Sequence, residues 1–207
     1  MGFSVAGARD VNGDGKDDLT WTFTFNDKFF RVLYLANPSG AGFLKISLGV
    51  DSDIFPTDSL FHDQKALLGD VNHDGKADLI WTFDYGDELG RILYLSSRLG
   101  TSFDRTGPKV LAAPTGVTAS THVDPDARAV DVNRDGQSDI VYSYYDPTKN
   151  LFGWVTFLAA GDASGFVEAG SGTFGVAESQ QNPDYHYADV TGDGAGDLVW
   201  TYRGPTL

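Results

Sequence analysis

Asp70-Val71-Asn72-His73-Asp74-Gly75-Lys76-Ala77-Asp78-Leu79-Ile80-Trp81 places Asp, Asn, Asp and Asp at positions 1, 3, 5 and 9 of a tight loop, with Gly at position 6. Alternate side chains of such a loop converge on one point, and the glycine supplies the sharp turn. Carboxylate and amide oxygens at that spacing suit a hard cation taking about six to eight oxygens, which points to Ca²⁺. The carbonyl of position 7, here Lys76, adds a backbone oxygen.

The same pattern occurs three more times. The first copy offers Asp10, Asn12, Asp14 and Asp18 with the Lys16 carbonyl. The third offers Asp131, Asn133, Asp135 and Asp139 with the Gln137 carbonyl. The fourth offers Asp189, Thr191, Asp193 and Asp197 with the Ala195 carbonyl. The copies start 60, 61 and 58 residues apart. A single Asp-Gly loop could be a surface turn, whereas four with every Asp position filled predict up to four Ca²⁺ sites. Thr191 is a weaker ligand than the Asn of the other copies, so the fourth site is expected to fill least. An EF-hand needs a bidentate Glu at position 12 and flanking helices. Position 12 here is Trp21, Trp81, Tyr142 and Trp200, and the following segments alternate with β-branched and aromatic residues. The EF-hand and dockerin readings therefore fail. The nonapeptide β-roll fails because the period is far longer than nine residues.

Aligning the copies on their first Asp aligns the rest of each unit. A strand follows each loop (Leu19 to Phe25, Leu79 to Tyr85, Ile140 to Tyr145, Leu198 to Tyr202), then a polar turn. A returning strand comes next in three units: Phe30 to Leu35, Gly90 to Leu95 and Gly153 to Leu158. Eight residues on, Phe43, Phe103 and Phe166 each open a further short strand with an aromatic expected to be buried. Small-residue strands precede the loops: Phe3 to Ala8, Lys65 to Leu68, Ala127 to Val130 and Tyr185 to Ala188. Gly49 to Gln64 and Ala112 to Asp126 read as Pro-, Asp- and Thr-rich connectors. The expectation is one all-β repeat domain over 1–207, with units at about 3–60, 61–120 and 121–180 and a half-unit at 181–207. Four-stranded antiparallel units at a fixed period bury their faces against neighbours, as blades of a β-propeller do. About three and a half blades are present. Trp21, Trp81 and Trp200 share one position and are expected in the packing between blades. Arg31 and Arg91 share another, where Trp154 stands in the third unit; they are expected as exposed strand residues covering an aromatic neighbour with their stems, with a blade-edge contact to a ligand as the alternative.

The formal charge of −14 is explained largely by the twelve loop carboxylates. Four Ca²⁺ would leave about −6, so the acidity describes the metal sites rather than a polycationic partner. No basic stripe exists to neutralise phosphates, which argues against nucleic acid. No apolar run approaches transmembrane length, which argues against a membrane span. With no cysteine, calcium would be the staple, as suits a secreted protein. No signal peptide opens the chain, and Met1-Gly2 reads as an expression start.

No convergent acid, base or nucleophile is visible, so no enzymatic activity is expected. His73 sits at a variable loop position and is expected in solvent. His62, His122 and His186 lie 8, 9 and 3 residues before their loops and form no repeated site. No nucleophile elbow, phosphate-cradling loop or zinc spacing is present.

The repeated Asp-x-Asn-x-Asp-Gly-x-x-Asp resembles the FG-GAP or VCBS repeat, the calcium-binding blade of integrin α-chain propellers and of many secreted bacterial proteins, with similar blades in sugar-binding propellers. The resemblance implies an extracellular propeller holding each metal between the first two strands of a blade, on one rim. It implies a glycan or protein ligand. The alternatives are a purely structural or self-assembling unit of a larger protein and, further off, a polysaccharide-degrading enzyme. The candidate connector aromatics, Phe55, Phe61, Phe174 and Tyr185, do not align, and the repeated Trp- and His-containing connector motif of sugar-binding relatives is absent. Relatives usually close with about seven blades, so self-association or membership of a larger chain is expected.

Overall fold

The computed structural model describes residues 2–26, 28–52, 61–85, 88–112, 123–146, 149–175 and 181–203. They form fourteen strands and none is helical. No helix is long and apolar enough to cross a membrane. The first sheet runs β1 (Gly2–Arg9), β2 (Asp18–Phe25), β3 (Lys28–Ala36) and β4 (Phe43–Asp51). The second runs β5 (Phe61–Gly69), β6 (Asp78–Tyr85), β7 (Glu88–Ser96) and β8 (Phe103–Ala112). The third runs β9 (Val123–Val130), β10 (Asp139–Asp146), β11 (Leu151–Ala159) and β12 (Phe166–Gly175). β13 (Gln181–Ala188) and β14 (Asp197–Arg203) make a two-stranded sheet. Every pairing is antiparallel between sequence neighbours, so each sheet is a meander.

The alternation predicted for the strands after the loops is present, and its register repeats. Leu19 pairs with Tyr34, Leu79 with Tyr94 and Ile140 with Phe157. Strands extend into the segments read as connectors: Gly49–Asp51 end β4, Phe61–Gln64 begin β5, Ala112 ends β8 and Val123–Asp126 begin β9. The polar composition there hides the strand, because ladder pairing decides it. Irregularities at His62/Lys65 and Ser143/Tyr145 absorb residues that break the alternation. What remains of the two connectors, 53–60 and 113–122, lies outside the described residues, and so do Phe55 and His122.

The sheets stack face to face in chain order, with the first strands β1, β5, β9 and β13 brought side by side. Phe29 and Leu33 of the first sheet meet Trp81, Phe83, Ile92 and Tyr94 of the second in one core. Leu67, Ile80 and Leu93 of the second meet Tyr142, Val155 and Phe157 of the third in another. The position-12 aromatic of each sheet thus turns to the sheet before it. Trp81 is buried and stacks on Phe29 with ring centroids 4.2 Å apart. Trp200 lies 4.7 Å from Phe152 of the third sheet. Trp21 departs from expectation: it is 46% exposed, because no described sheet precedes its own. The same open face carries Phe25, Leu48 and Val50, all exposed. Phe43, expected to be buried, is exposed in this sheet, whereas its counterpart Phe103 is buried.

Arg31 and Arg91 are buried rather than exposed, which removes the blade-edge reading. Each lies between two sheets with its guanidinium over the aromatic of the next sheet: Arg31 4.1 Å from the Tyr94 centroid, Arg91 4.2 Å from that of Phe157. Where a stem over a surface aromatic was expected, it is the guanidinium that lies over an aromatic, and it does so across the interface. Arg31 Nη1 also donates to Asp51 Oδ2 at 2.7 Å, which accepts the Tyr94 hydroxyl at 2.6 Å. The fourth strand makes room: a Cβ on Gly49 would come 2.7 Å from Arg31 Nη2, and one on Gly172 2.8 Å from the Trp154 ring.

Candidate functional site

Each Asp-rich loop joins the first strand of its unit to the second and is wound around its own carboxylates. In the first loop Asp10 Oδ1 accepts from the N–H of Gly13 at 2.6 Å, and Oδ2 accepts from that of Gly15 at 2.7 Å. Asn12 Oδ1 accepts from the Asp14 N–H at 2.9 Å. Asp14 Oδ1 accepts from the Lys16 N–H at 3.0 Å. The second loop repeats this with Asp70, Asn72, Asp74 and Lys76. The third does so with Asp131, Asn133, Asp135 and Gln137. Successive N–H groups of a turn curl around an acceptor in this way. The glycine at position 6 has φ near +80° in all four loops (Gly15 81°, Gly75 81°, Gly136 83°, Gly194 89°), a conformation that excludes a Cβ at low cost.

The fourth loop differs at one atom. Asp189 accepts from Gly192, Asp193 and Gly194, and Asp193 from Ala195, as elsewhere. Thr191, however, turns its hydroxyl to Asp197 Oδ2 at 3.2 Å. It takes up the position-9 acid instead of helping to shape the loop as Asn does.

Position 9 is the residue whose role sequence reasoning missed in part. Asp18, Asp78 and Asp139 are fully buried and open the second strand of their sheets. One oxygen holds the loop: Asp18 accepts from Val11, Asp78 from Val71 and Asp139 from Val132, at 2.9–3.0 Å. The other holds the end of the third strand: Asp18 accepts from Ala36, Asp78 from Ser96 and Asp139 from Ala159, at 2.8–2.9 Å. The signal was available as a small residue two positions past the Tyr34, Tyr94 and Phe157 aromatics. Burial pushes the Asp78 carboxyl up to about 6, against the two N–H bonds, and the Asp74 and Asp70 charges add to the rise. Burial likewise raises Asp139. Asp197 is shifted down by the N–H groups of Thr191 and Val190.

The four loops form one row. The N–H of position 8 in each loop donates to the position-1 carbonyl of the loop before it. Ala77 bonds Asp10 at 2.7 Å, Ser138 bonds Asp70 at 2.6 Å and Gly196 bonds Asp131 at 2.8 Å. Ser96 Oγ adds a bond to the Val11 carbonyl at 2.7 Å. His73 is exposed, as expected, and its Nδ1 also lies 2.9 Å from the Gly136 carbonyl of the next loop, a bond that raises its pKa. The turn after β7 presses on the first loop, where a Cβ on Gly100 would come 2.3 Å from the Asn12 Cα. His186 instead pairs locally with Asp184 at 3.3 Å, and the side chains of His62, Phe61 and Phe174 lie outside the described residues. Tyr185, a candidate connector aromatic, is buried in β13 with its ring 4.4 Å from that of Trp200.

The donor set of each loop is entirely oxygen, with no thiolate or imidazole among the residues singled out, which fits a hard dication. Among the described residues no three His, Cys, Asp or Glu side chains close around one point; the acids face the loop's own N–H groups. The buried Asp78, with its raised pKa and two acids close enough to repel it, is the kind of carboxylate a cation would relieve.

Residues 1–44 and 65–95 match the family model of the FG-GAP repeat. No curated protein matches the chain. The matched segments span the first two loops and the strands around them, and the third sheet repeats their register and hydrogen bonds. The chain carries FG-GAP-type repeats, and its four-stranded sheets are blades of the β-propeller kind.

Proposed function

We propose that this chain is a calcium-stabilised extracellular β-propeller module that binds a glycan or a protein. The observation that carries the calcium reading is the row of four loops, each presenting Asp at positions 1, 5 and 9 with Asn or Thr at 3, bonded one to the next along one rim. In this reading the side chains at 1, 3, 5 and 9 and the carbonyl at 7 hold the ion. It supplies positive charge where acids crowd, and the loops' N–H groups orient the carboxylates. Occurrence of FG-GAP repeats in secreted proteins supports the extracellular setting, and calcium there is high enough to fill weak sites. No catalytic role and no nucleic-acid or membrane partner is proposed. The test is calorimetric titration of the metal-stripped protein with Ca²⁺, then a glycan array with and without chelator. Saturable binding at up to four sites, lowest for the fourth, and chelator-sensitive glycan signals are expected. Failure to bind Ca²⁺ at millimolar concentration overturns the reading.

A second reading, a structural or self-assembling unit, is favoured by the open face of the first sheet. Trp21, Phe25, Leu48 and Val50 are each more than 40% exposed there, and apolar patches of that kind mark association surfaces.

A further inference from the structure

Along the rim, the bonds between loops fall on the peptide units that the calcium reading uses. The N–H of position 8 and the carbonyl of position 7 belong to one peptide unit: Lys76–Ala77, Gln137–Ser138 and Ala195–Gly196. The N–H of each unit donates to the position-1 carbonyl of the loop before, that of Asp10, Asp70 and Asp131 in turn. In the calcium reading the carbonyl of the same unit holds the ion of its own loop, and the accepting Asp is a ligand of the neighbouring one. Each junction therefore joins a ligand of one site to a ligand of the next. The backbones are too close there to move apart singly: a Cβ on Gly196 would come 2.1 Å from Val130 Cγ2, and one on Gly69 2.6 Å from Ser138 Cβ.

The first and second loops share a further link. Ser96, which ends β7, donates its N–H to Asp78 Oδ1 at 2.8 Å and its Oγ–H to the Val11 carbonyl at 2.7 Å. Val11 donates its own N–H to Asp18 Oδ2 at 2.9 Å. Two residues thus connect the position-9 acids of both loops, and all four are buried. Ala36 and Ala159 are the counterparts of Ser96 and carry no hydroxyl. The second and third loops share instead the exposed contact of His73 with the Gly136 carbonyl.

We infer that calcium binding is cooperative between neighbouring loops, and that Ser96 makes the first and second sites the most tightly coupled pair. This rests on the calcium reading and adds how one site regulates the next. An ion on the position-7 carbonyl polarises its peptide unit, and a polarised N–H is the stronger donor. The strengthened bond holds the position-1 residue of the loop before, so the next ion enters a loop already ordered. The coupling is reciprocal, whichever loop fills first. Charge works the other way, because three acids with one Ca²⁺ keep a formal −1 where the empty loop has −3. That effect runs between exposed carboxylates such as Asp14, Asp74 and Asp135, and salt screens it. The main-chain bonds are not screened.

The test uses the whole chain, stripped of metal and titrated with Ca²⁺ in about 1 M potassium chloride, where the Debye length is about 3 Å. The amides of Gly15, Gly75, Gly136 and Gly194 each bond the position-1 acid of their own loop, so an amide NMR spectrum reads the four sites one by one. Asp74→Ala removes a ligand of the second loop alone. It should raise the midpoints at Gly15 and Gly136 about fivefold, the lower end of couplings between sites, and move Gly194 least. Ser96→Ala should raise the midpoints at Gly15 and Gly75 in the unchanged chain. In the Asp74→Ala chain it should not raise Gly15 further, because the second site has nothing left to pass on. Midpoints at Gly15 and Gly136 untouched by Asp74→Ala overturn the cooperativity while leaving calcium in place. An equal effect of Ser96→Ala in both chains overturns the role of Ser96. No shift at any of the four glycines in millimolar Ca²⁺ overturns the calcium reading, and this inference with it.

Discussion

Asp78 and Asp74 stand four residues apart in one loop, yet their carboxylates do different work. Asp74 is exposed and shapes the loop through the Lys76 N–H. Asp78 is buried and joins the loop to the end of β7 through two N–H groups. Replacing Asp78 by Ala leaves both donors without partners, at about 1–3 kcal/mol each. Asp78→Ala should therefore destabilise by about 2–6 kcal/mol in urea unfolding even with chelator present. Asp74→Ala should cost less than about 1 kcal/mol in chelator, because its bond is solvent-exposed, and should show its larger effect only when Ca²⁺ is supplied. Equal losses for the two variants in chelator would show that position 9 is only a metal ligand. The sequence made all three acids of a loop look alike. Their spacing was legible because it is local, while the bond from Asp78 to Ser96 spans eighteen residues and depends on the ladder.

The strands and their order were legible because alternation and the recurring loop mark each second strand. Which face a residue meets was legible only where a neighbouring sheet exists. Trp81 and Trp21 occupy the same place in consecutive sheets, and only Trp81 is covered. Trp81→Ala should cost about 3–5 kcal/mol, the range for a large buried aromatic. Part of that is the stacking on Phe29, worth about 0.5–1.5 kcal/mol beyond area. Trp21→Ala should cost about 1 kcal/mol or less in the same assay. Similar losses would mean that the first sheet is covered in solution, and sedimentation would then show association that Trp21→Lys abolishes. Arg31 and Arg91 were misplaced for a related reason. A cation in a strand reads as solvent-facing; the next sheet's aromatic ring, with the Asp51 carboxylate for Arg31 and the Phe166 carbonyl for Arg91, makes its burial tolerable.

For the whole molecule, metal that binds only the folded state stabilises it by about 2.7 kcal/mol per site at a hundredfold excess over Kd. In a chain of this size each such site is worth about 5–10 °C. Chelation should lower the melting temperature by at least that much, and an unchanged melt would remove calcium from the account of stability. The bonds that run from loop to loop also set how the chain answers a pulling force. Each meander opens strand by strand, but Ala77, Ser138 and Gly196 fasten a loop to the one before at the rim, so tension between neighbouring sheets arrives there first. Drawn out between its ends, the protein should lengthen in discrete steps, one per unit of about 60 residues, each releasing roughly 200 Å of slack. An optical trap that records one smooth extension, with no steps of that size, would mean that the sheets yield together and that the fastened rim does not divide the load.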